Sequence, residues 1–549
     1  MNRSLPILLA LLALTLHPAV AQTPDSTLAG PVLAQPATAT GGSVLPLSLE
    51  EAIEIALERN YSVRTAALDV ANANAQVREA WGQVLPSADV SSSYTRNIVE
   101  ANPFAGSDAG GLFGALGSID WLAFNEDART DDDPATEPIS LAEFRRLQQQ
   151  GFEDAGIVLD SGDNPFGVAN QFQNSLSITQ TLYNGSAFAA IKGAKSLKDI
   201  NQAALTQQQQ AAIDQTRQLY YGALLARQQA EVVRASVART ETTLNETSRR
   251  VAQGVLPKFE RLTAEVEVAN QQTQLIEAQN AAAVAENNLL FALGLPVNQR
   301  VALVGELDLP GDVFLETVSF DDAVATAFER RPDLEQARLA IDLQQVQRDI
   351  TRAQYYPNLS AFANLNYVGS VPDDRTSAIQ GANPDDPFAV TSDSRGFFDT
   401  AYWNPSVAVG VRMSWNLFNG FQTSYRVQQN TIEIQKAEVQ LERAVQGAVL
   451  EVEQALRNLA SARQRIAAQE QTVQTAQVAY DFAAERLRTG VATQIDVRLA
   501  SAQFDQAQLG YLRAVYDYLV ARSSLQRAIG LVLPEPIGAE DGTTLTSAQ

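Results

Sequence analysis

Two hydrophobic periods alternate along this chain, and each appears twice. In the first, apolar residues recur at every second position: Leu359, Ala361, Ala363, Leu365 and Tyr367 alternate with Ser360, Phe362, Asn364 and Asn366. Val407, Val409, Val411, Met413, Trp415 and Leu417 likewise alternate with Ala408, Gly410, Arg412, Ser414 and Asn416. Alternation of this kind predicts strands with one polar and one apolar face. Two earlier stretches, 88–95 and 172–182, carry the same pattern. In the second period, Val445, Ala448, Val452, Ala455, Leu459, Ala462, Ile466, Val473, Ala476, Tyr480, Ala483 and Leu487 keep a spacing of three and four, interrupted at Gln469. That spacing predicts a long helix with a coiled-coil seam. The same register reads Ala212, Leu219, Ala223, Ala226, Ala230, Val233, Val237, Leu244 and Val251, with Thr216, Thr240 and Thr247 interleaved.

The two sets are copies of one unit. Leu182-Tyr183-Asn184-Gly185 returns as Leu417-Phe418-Asn419-Gly420 after 235 residues, and Gly254-Val255 returns as Gly490-Val491 after 236. Upstream, Ala52, Ala56, Glu58, Arg59, Gln83 and Pro86 match Ala323, Ala327, Glu329, Arg330, Gln354 and Pro357 at an offset of 271. A repeat this long exceeds solenoid periods and predicts a duplicated helix, strand, strand, helix unit. The first repeat is placed at 48–318 with a long loop at 98–170, inside which 141–150 is expected to be a short helix. The second runs over 319–533 with a loop at 369–402, followed by a tail at 534–549. At ~1.5 Å per residue, a helix from about 420 to 489 extends roughly 100 Å.

Residues 1–21 combine Arg3, an apolar run and Ala19-Val20-Ala21, which reads as a secretory signal; 22–47, rich in Thr, Pro, Ala and Gly, is expected to be a flexible leader. No later segment offers ~20 continuous apolar residues, so entry into a membrane would require a β-barrel. The predicted strands match the ~10-residue, two-faced pattern of barrel strands, although a soluble sheet with one wet face shares it. Four strands cannot close a transmembrane barrel, for which ~8 is the minimum, so a barrel would have to be shared between chains.

Composition narrows the chemistry. The chain has no cysteine, and its one histidine, His17, lies within the signal. Disulfides, thiolate nucleophiles, imidazole bases and His or Cys metal sites are excluded from the remainder, and no catalytic, cofactor or metal residue is nominated. The net charge of −23 disfavours nucleic acid as a partner.

The order of long helix, strand, outer loop, strand, Leu-aromatic-Asn-Gly, long helix, Gly-Val turn and return helix, twice over, resembles the TolC family of outer-membrane channel proteins. The resemblance spans about 48–533. It implies a mainly α fold with β structure: a homotrimer whose 12-stranded barrel, four strands per chain, stands on a long α-helical coiled-coil barrel in the periplasm. It also implies outer-membrane lipid around the barrel, a periplasmic adaptor (membrane fusion protein), an inner-membrane pump, and passive export of drugs or, in type I secretion, of proteins. A periplasmic coiled-coil adaptor or spacer without a pore is the alternative, though an adaptor would carry one helical hairpin rather than two.

On that resemblance Gly254, Val255, Gly490 and Val491 are expected at adaptor-contact tips, while glycine as a helix stop explains the same residues without a partner. Asp496 is expected in a periplasmic gate, against a capping role with Thr493. Glu260 stands at the repeat-equivalent position. The tyrosine and arginine that accompany such a carboxylate in the family are replaced by Leu487 and Ala492, and a second gate aspartate by Leu499. Asn184, Gly185, Asn419 and Gly420 are assigned to the strand-to-helix bends, with Pro86, Pro357 and Pro405 flanking strands.

Overall fold

The computed structural model describes residues 45–98, 109–130, 137–156, 168–307, 318–373, 375–380 and 386–532. The expected signal, most of the leader and the tail at 534–549 lie outside the described residues. Along the chain run β1 (Leu45–Leu47), α1 (Leu49–Arg59), α2 (Tyr61–Gly82), β2 (Ser87–Arg96), α3 (Ala109–Thr130), α4 (Leu141–Asp154), β3 (Asn170–Tyr183), α5 (Gly185–Ala252) and α6 (Lys258–Ala292). They continue as β4 (Val301–Leu303), α7 (Phe320–Arg330), α8 (Pro332–Arg352), β5 (Asn358–Val371), β6 (Thr376–Gln380), β7 (Val390–Ser394), β8 (Trp403–Ser414), α9 (Gln422–Arg488) and α10 (Gln494–Ala528).

The chain divides into two compact units. One comprises Met1–Asn74, Ser196–Leu343 and Ile434–Gln549, and among its described residues the regular elements are helices apart from the parallel pair β1 and β4. Its core gathers Leu47, Leu224, Leu289, Leu293, Val452, Leu525 and Ile529. Tyr220 is buried in it because its hydroxyl lies 2.9 Å from the Leu47 carbonyl and 2.5 Å from that of Val304. The last three residues assigned to the leader, 45–47, are therefore a strand: the Leu45-Pro46-Leu47 alternation buries Leu47. Of the expected seam, Ala448, Val452, Ala455, Leu459, Ala462 and Ile466 are buried, while Val445 before them and Val473, Ala476, Tyr480, Ala483 and Leu487 after them are half-buried. Gln469 interrupts it where α10 offers Gly510, at which a Cβ would stand 2.9 Å from the Gln469 Oε1. Glycine thus makes room for a polar side chain in the seam.

The other unit, Ala75–Lys195 and Gln344–Glu433, holds an antiparallel sheet in the order β2-β3-β5-β8. The predicted strands are all present, but β8 starts earlier and stops at Ser414, so Pro405 lies inside it rather than beside it. Proline is tolerated there because β8 pairs with β5 alone among the described strands. The two expected loops are more structured than their composition predicts. The first contains α3 as well as α4, and the second the antiparallel hairpin β6 and β7. Glycines 110, 111, 114 and 117 make the start of α3 read as loop. Phe124, Phe144 and Phe388 join helices and hairpin, with ring centroids 5.2–5.6 Å apart.

Candidate functional site

Strand register sorts the sheet's side chains into two faces. Ala88, Ile178, Ala363 and Val409 form one cross-strand row, and Val90, Leu176, Leu365 and Val407 the next. The next row on this face is mixed, Ser92, Asn174, Tyr367 and Pro405, with the Ser92 hydroxyl donating to the Asn174 side-chain oxygen at 2.6 Å, and the row after it is Tyr94, Phe172, Gly369 and Trp403. Tyr94 and Phe172 stand 4.8 Å apart, Phe172 and Trp403 5.4 Å, so the apolar face ends in a band of packed rings. The opposite face carries the rows Asp89, Ser177, Asn364, Ala408 and Ser91, Ser175, Asn366, Ser406. Its side chains bond across strands, Ser91 to Ser175 at 2.7 Å and the Ser177 hydroxyl to the Asn364 side-chain Oδ1 at 2.8 Å. A sheet that is apolar on one side and hydroxyl- and amide-lined on the other suits lipid outside and water inside. Its outer strands, β2 and β8, each have one partner among the described strands, which leaves two open edges.

At the strand-to-helix junctions, the two Asn-Gly pairs act differently. Asn184 caps α5, its side-chain oxygen accepting from the Ala187 amide at 3.2 Å. Gly185 is not left-handed; its hydrogen matters because a Cβ would meet that of Ala353 at 3.0 Å. Asn419 donates to the Thr423 hydroxyl at 2.6 Å, and here both Gly420 (φ 66°) and Phe421 (φ 63°) are left-handed. The second bend thus needs a conformation that costs a phenylalanine on the order of 1 kcal/mol.

In the helical unit, α5 and α9 end in matching turns. Gly254 (φ 75°) and Gly490 (φ 78°) are left-handed. The Val255 amide donates to the Arg250 carbonyl at 2.9 Å and the Gly254 amide to that of Val251 at 3.0 Å, while Val491 and Gly490 repeat this with Arg486 (2.8 Å) and Leu487 (3.1 Å). Both are Schellman motifs, in which glycine is the residue that adopts positive φ without a steric cost. Val255 and Val491 are each 68 % exposed, so neither makes the inward apolar contact that usually accompanies the motif. Phe259, Leu262 and Val266 on α6 continue the exposed stripe from Val255, as Ile495 and Leu499 on α10 continue it from Val491. Arg250 ties the turns together, donating to the Leu487 carbonyl at 3.1 Å and the Arg488 carbonyl at 3.3 Å.

Asp496 closes a capping box with Thr493. Its Oδ2 accepts from the Thr493 amide and hydroxyl, both at 2.8 Å, and these bonds hold its carboxyl below the usual range, the backbone bond most of all. Glu260 sits equivalently in the first turn of α6, but its cap residue is Pro257, which supplies no side-chain bond. Arg488 pairs with Glu485 at 2.7 Å rather than with either carboxylate.

Residues 157–295 and 323–531 match the model of the family described as outer membrane efflux protein, a span that includes both helical turns and both strand-to-helix junctions. The chain belongs to the outer membrane efflux protein family. It is 23 % identical over 367 residues to the alkaline protease secretion protein AprF of Pseudomonas aeruginosa, covering 66 % of this chain and 70 % of AprF. To the outer membrane protein TolC of Escherichia coli it is 24 % identical over 412 residues, covering 73 % and 78 % of the two chains. In fold it is similar to the CmeC outer membrane channel of Campylobacter jejuni (TM-score 0.64, 15 % identity, 88 % of this chain and 85 % of that one). It is likewise similar to VceC of Vibrio cholerae (TM-score 0.61, 18 % identity, 88 % and 96 %). The efflux protein described here is thus an outer-membrane protein.

Sequence reasoning missed one cluster in this efflux protein. Arg239 of α5 pairs with Asp505 of α10, the two side chains 21 % and 17 % exposed. The Ser236 hydroxyl donates to Asp505 at 2.6 Å, and the Arg239 guanidinium lies 5.8 Å from the Tyr480 ring centre and 5.5 Å from that of Phe504. Burial raises the carboxyl pKa of Asp505, opposed by Ser236 and Arg239. The group borders a cavity of about 240 Å³ that Glu260 also lines. Tyr480 as a seam position was the one sequence signal for it; Arg239 and Asp505 come from helices read separately.

Proposed function

We propose that three copies of this chain form a duct across the outer membrane and periplasm, each giving four strands to a 12-stranded barrel and its long helices to a coiled-coil tunnel. The observation that carries this reading is the two-faced sheet with both edges unpaired among the described strands: four strands are too few to enclose a pore, and edge-to-edge addition of copies removes every edge. The exposed 3-4 stripe of Phe259, Leu262 and Val266 favours assembly as well, because an apolar seam on a long helix calls for a partner helix.

In this duct the Gly254-Val255 and Gly490-Val491 turns meet a periplasmic adaptor, which couples the duct to an inner-membrane pump; the chain itself performs no catalysis. AprF is named for protease secretion, and the family for efflux, so the shared role is that of the outer duct of a tripartite export or type I secretion system. Asp496, present three times, would form a carboxylate ring near the tip that prefers cations, with Glu260 on the neighbouring helix as a second gate residue. Its capping bonds with Thr493 hold the Asp496 carboxyl below the usual range, which opposes the upward push of neighbouring like charges in such a ring.

The decisive experiment is the native mass of the protein extracted from outer membranes in mild detergent, corrected for bound detergent. A mass near three chains is expected. A monomer soluble without detergent would overturn the duct and leave a spacer without a pore.

A further inference from the structure

The four barrel strands contain three charged residues: Asp89 and Arg96 on β2, and Arg412 on β8. Arg96 is at the strand's end, held by Asp373 with Nη2 to Oδ2 at 2.9 Å. Asp89 and Arg412 lie on the polar face, Arg412 opposite Ser360. That face is otherwise mostly small hydroxyl and amide residues, with one conspicuous exception, Phe362.

Phe362 has a specific place there. It stands opposite Gly410, and a Cβ on residue 410 would lie 2.9 Å from the Phe362 Cζ, so the ring occupies the space a side chain would otherwise fill. The Arg412 guanidinium, two residues along the same face, lies over this ring at 5.2 Å from its centre. Glycine, phenylalanine and arginine thus form a seat: one clears the strand surface, the next covers it, and the third is held on the ring by cation–π attraction. An arginine without such a seat sweeps a wide volume on a flexible stem; this one presents its charge at one level of the polar face.

We infer that Arg412, seated on Phe362, is a charge-selecting residue of the barrel, favouring anionic solutes over cations at its level. The inference rests on the duct reading, in which the polar face lines the lumen and Arg412 occurs three times around it. A ring of arginines attracts anions and repels cations. In a chain of net charge −23, it reverses the prevailing sign at one section of the path.

The test is reversal potential across a planar bilayer under a KCl gradient at low salt, using the full-length detergent-purified protein. Arg412→Gln is expected to raise the potassium-to-chloride permeability ratio roughly threefold or more, as three unit charges acting through water at ~10 Å would produce. Arg412→Lys, which keeps the charge, should stay close to the parent. Phe362→Leu keeps the charge but removes the seat, and should shift the ratio the same way by less; Asp89→Asn should shift it oppositely. Parent-like ratios in Arg412→Gln channels of normal conductance would overturn the inference while leaving the duct intact. Absence of channels from the parent protein would instead count against the duct.

Discussion

Four turns close the long and return helices, and they share one backbone solution in two different settings. Gly254 and Gly490 end α5 and α9; Gly294 and Gly530 end α6 and α10. All four have φ between 70° and 78°, and all four are followed by an apolar residue whose amide reaches back five positions. Around Gly254 and Gly490 a Cβ would meet nothing within 4 Å, whereas at Gly294 it would stand 2.5 Å from the Arg59 carbonyl oxygen and at Gly530 2.8 Å from that of Arg330. Leu295 is buried after Gly294, while Val255 and Val491 are exposed. One local motif therefore serves as a packed joint in the core and as a bare turn elsewhere, and sequence similarity between the copies does not distinguish the two.

The largest predicted effect sharpens that contrast. Gly294→Ala and Gly530→Ala each add a left-handed alanine, at about 1 kcal/mol, and drive a methyl into backbone that cannot yield, for a total of roughly 3 kcal/mol or more. Gly254→Ala and Gly490→Ala carry the conformational cost alone, about 1 kcal/mol. Thermal melting followed by helical circular dichroism separates the pairs; equal losses would break the comparison.

The repeats also differ where α1 and α7 hand over to the next helix. Asn60 donates to the Ala292 carbonyl at 2.8 Å, and its equivalent Arg331 to the Ala528 carbonyl at 3.0 Å. Arg331 additionally binds Asp333 and Glu451, each at 2.8 Å. For Asp333, desolvation pushes the carboxyl pKa upward, but the Arg331 bonds outweigh it and the net direction is down. Removing the cation by Arg331→Leu strands the half-buried Asp333 carboxylate and leaves Glu451 only the longer contact to Arg527 at 3.4 Å, at about 2–3 kcal/mol near neutral pH. A depressed carboxylate contributes stability above its unfolded pKa and loses it as pH falls through the folded one, so the gap between parent and variant should narrow in acid. Asn60→Leu, with no charge to strand, should show no such narrowing.

A smaller effect of the same sign belongs to Asp496. The Thr493 box lowers the Asp496 carboxyl pKa, so its contribution is present above the unfolded value and fades as pH falls through the folded one. Asp496→Asn should flatten the acid limb of the melting curve. The same Asp496→Asn protein in a bilayer tests the ring: a lower cation preference supports it, and an unchanged one leaves the cap alone.

Much of this was legible because it is periodic. The 3-4 spacing from Val445 located the buried seam, and alternation in 359–367 and 407–417 located two strands of the sheet. What escaped depends on contacts between distant segments. Gly510 answers Gln469 across two helices, and Asp505 meets Arg239 266 residues away; neither pair leaves a local pattern. Composition misled at α3, whose glycines read as loop, and it does not reveal that Gly185, at the strand-to-helix junction, is needed for close approach to Ala353 rather than for a positive φ. Asp496 carries capping and gate signals in the same four residues, Thr493 to Asp496, and the structure displays the cap.

The smallest expected change in stability is the most informative about partners. Val255 and Val491 follow their glycines in exposed positions, so Val255→Ser and Val491→Ser remove apolar surface that the isolated chain already leaves in water. Surface changes of this kind usually alter stability by less than about 0.5 kcal/mol. The equivalent change at Leu295, buried beside Gly294, should cost roughly 3 kcal/mol because it creates a cavity and strands a hydroxyl. If the bare turns are docking surfaces, the double valine variant should melt with the parent, assemble with the parent's native mass, and yet lose co-purification with its adaptor. Unimpaired adaptor capture would assign the valines to plain solvent exposure. A drop in melting temperature to match the Leu295 variant would show that neighbouring copies already cover them.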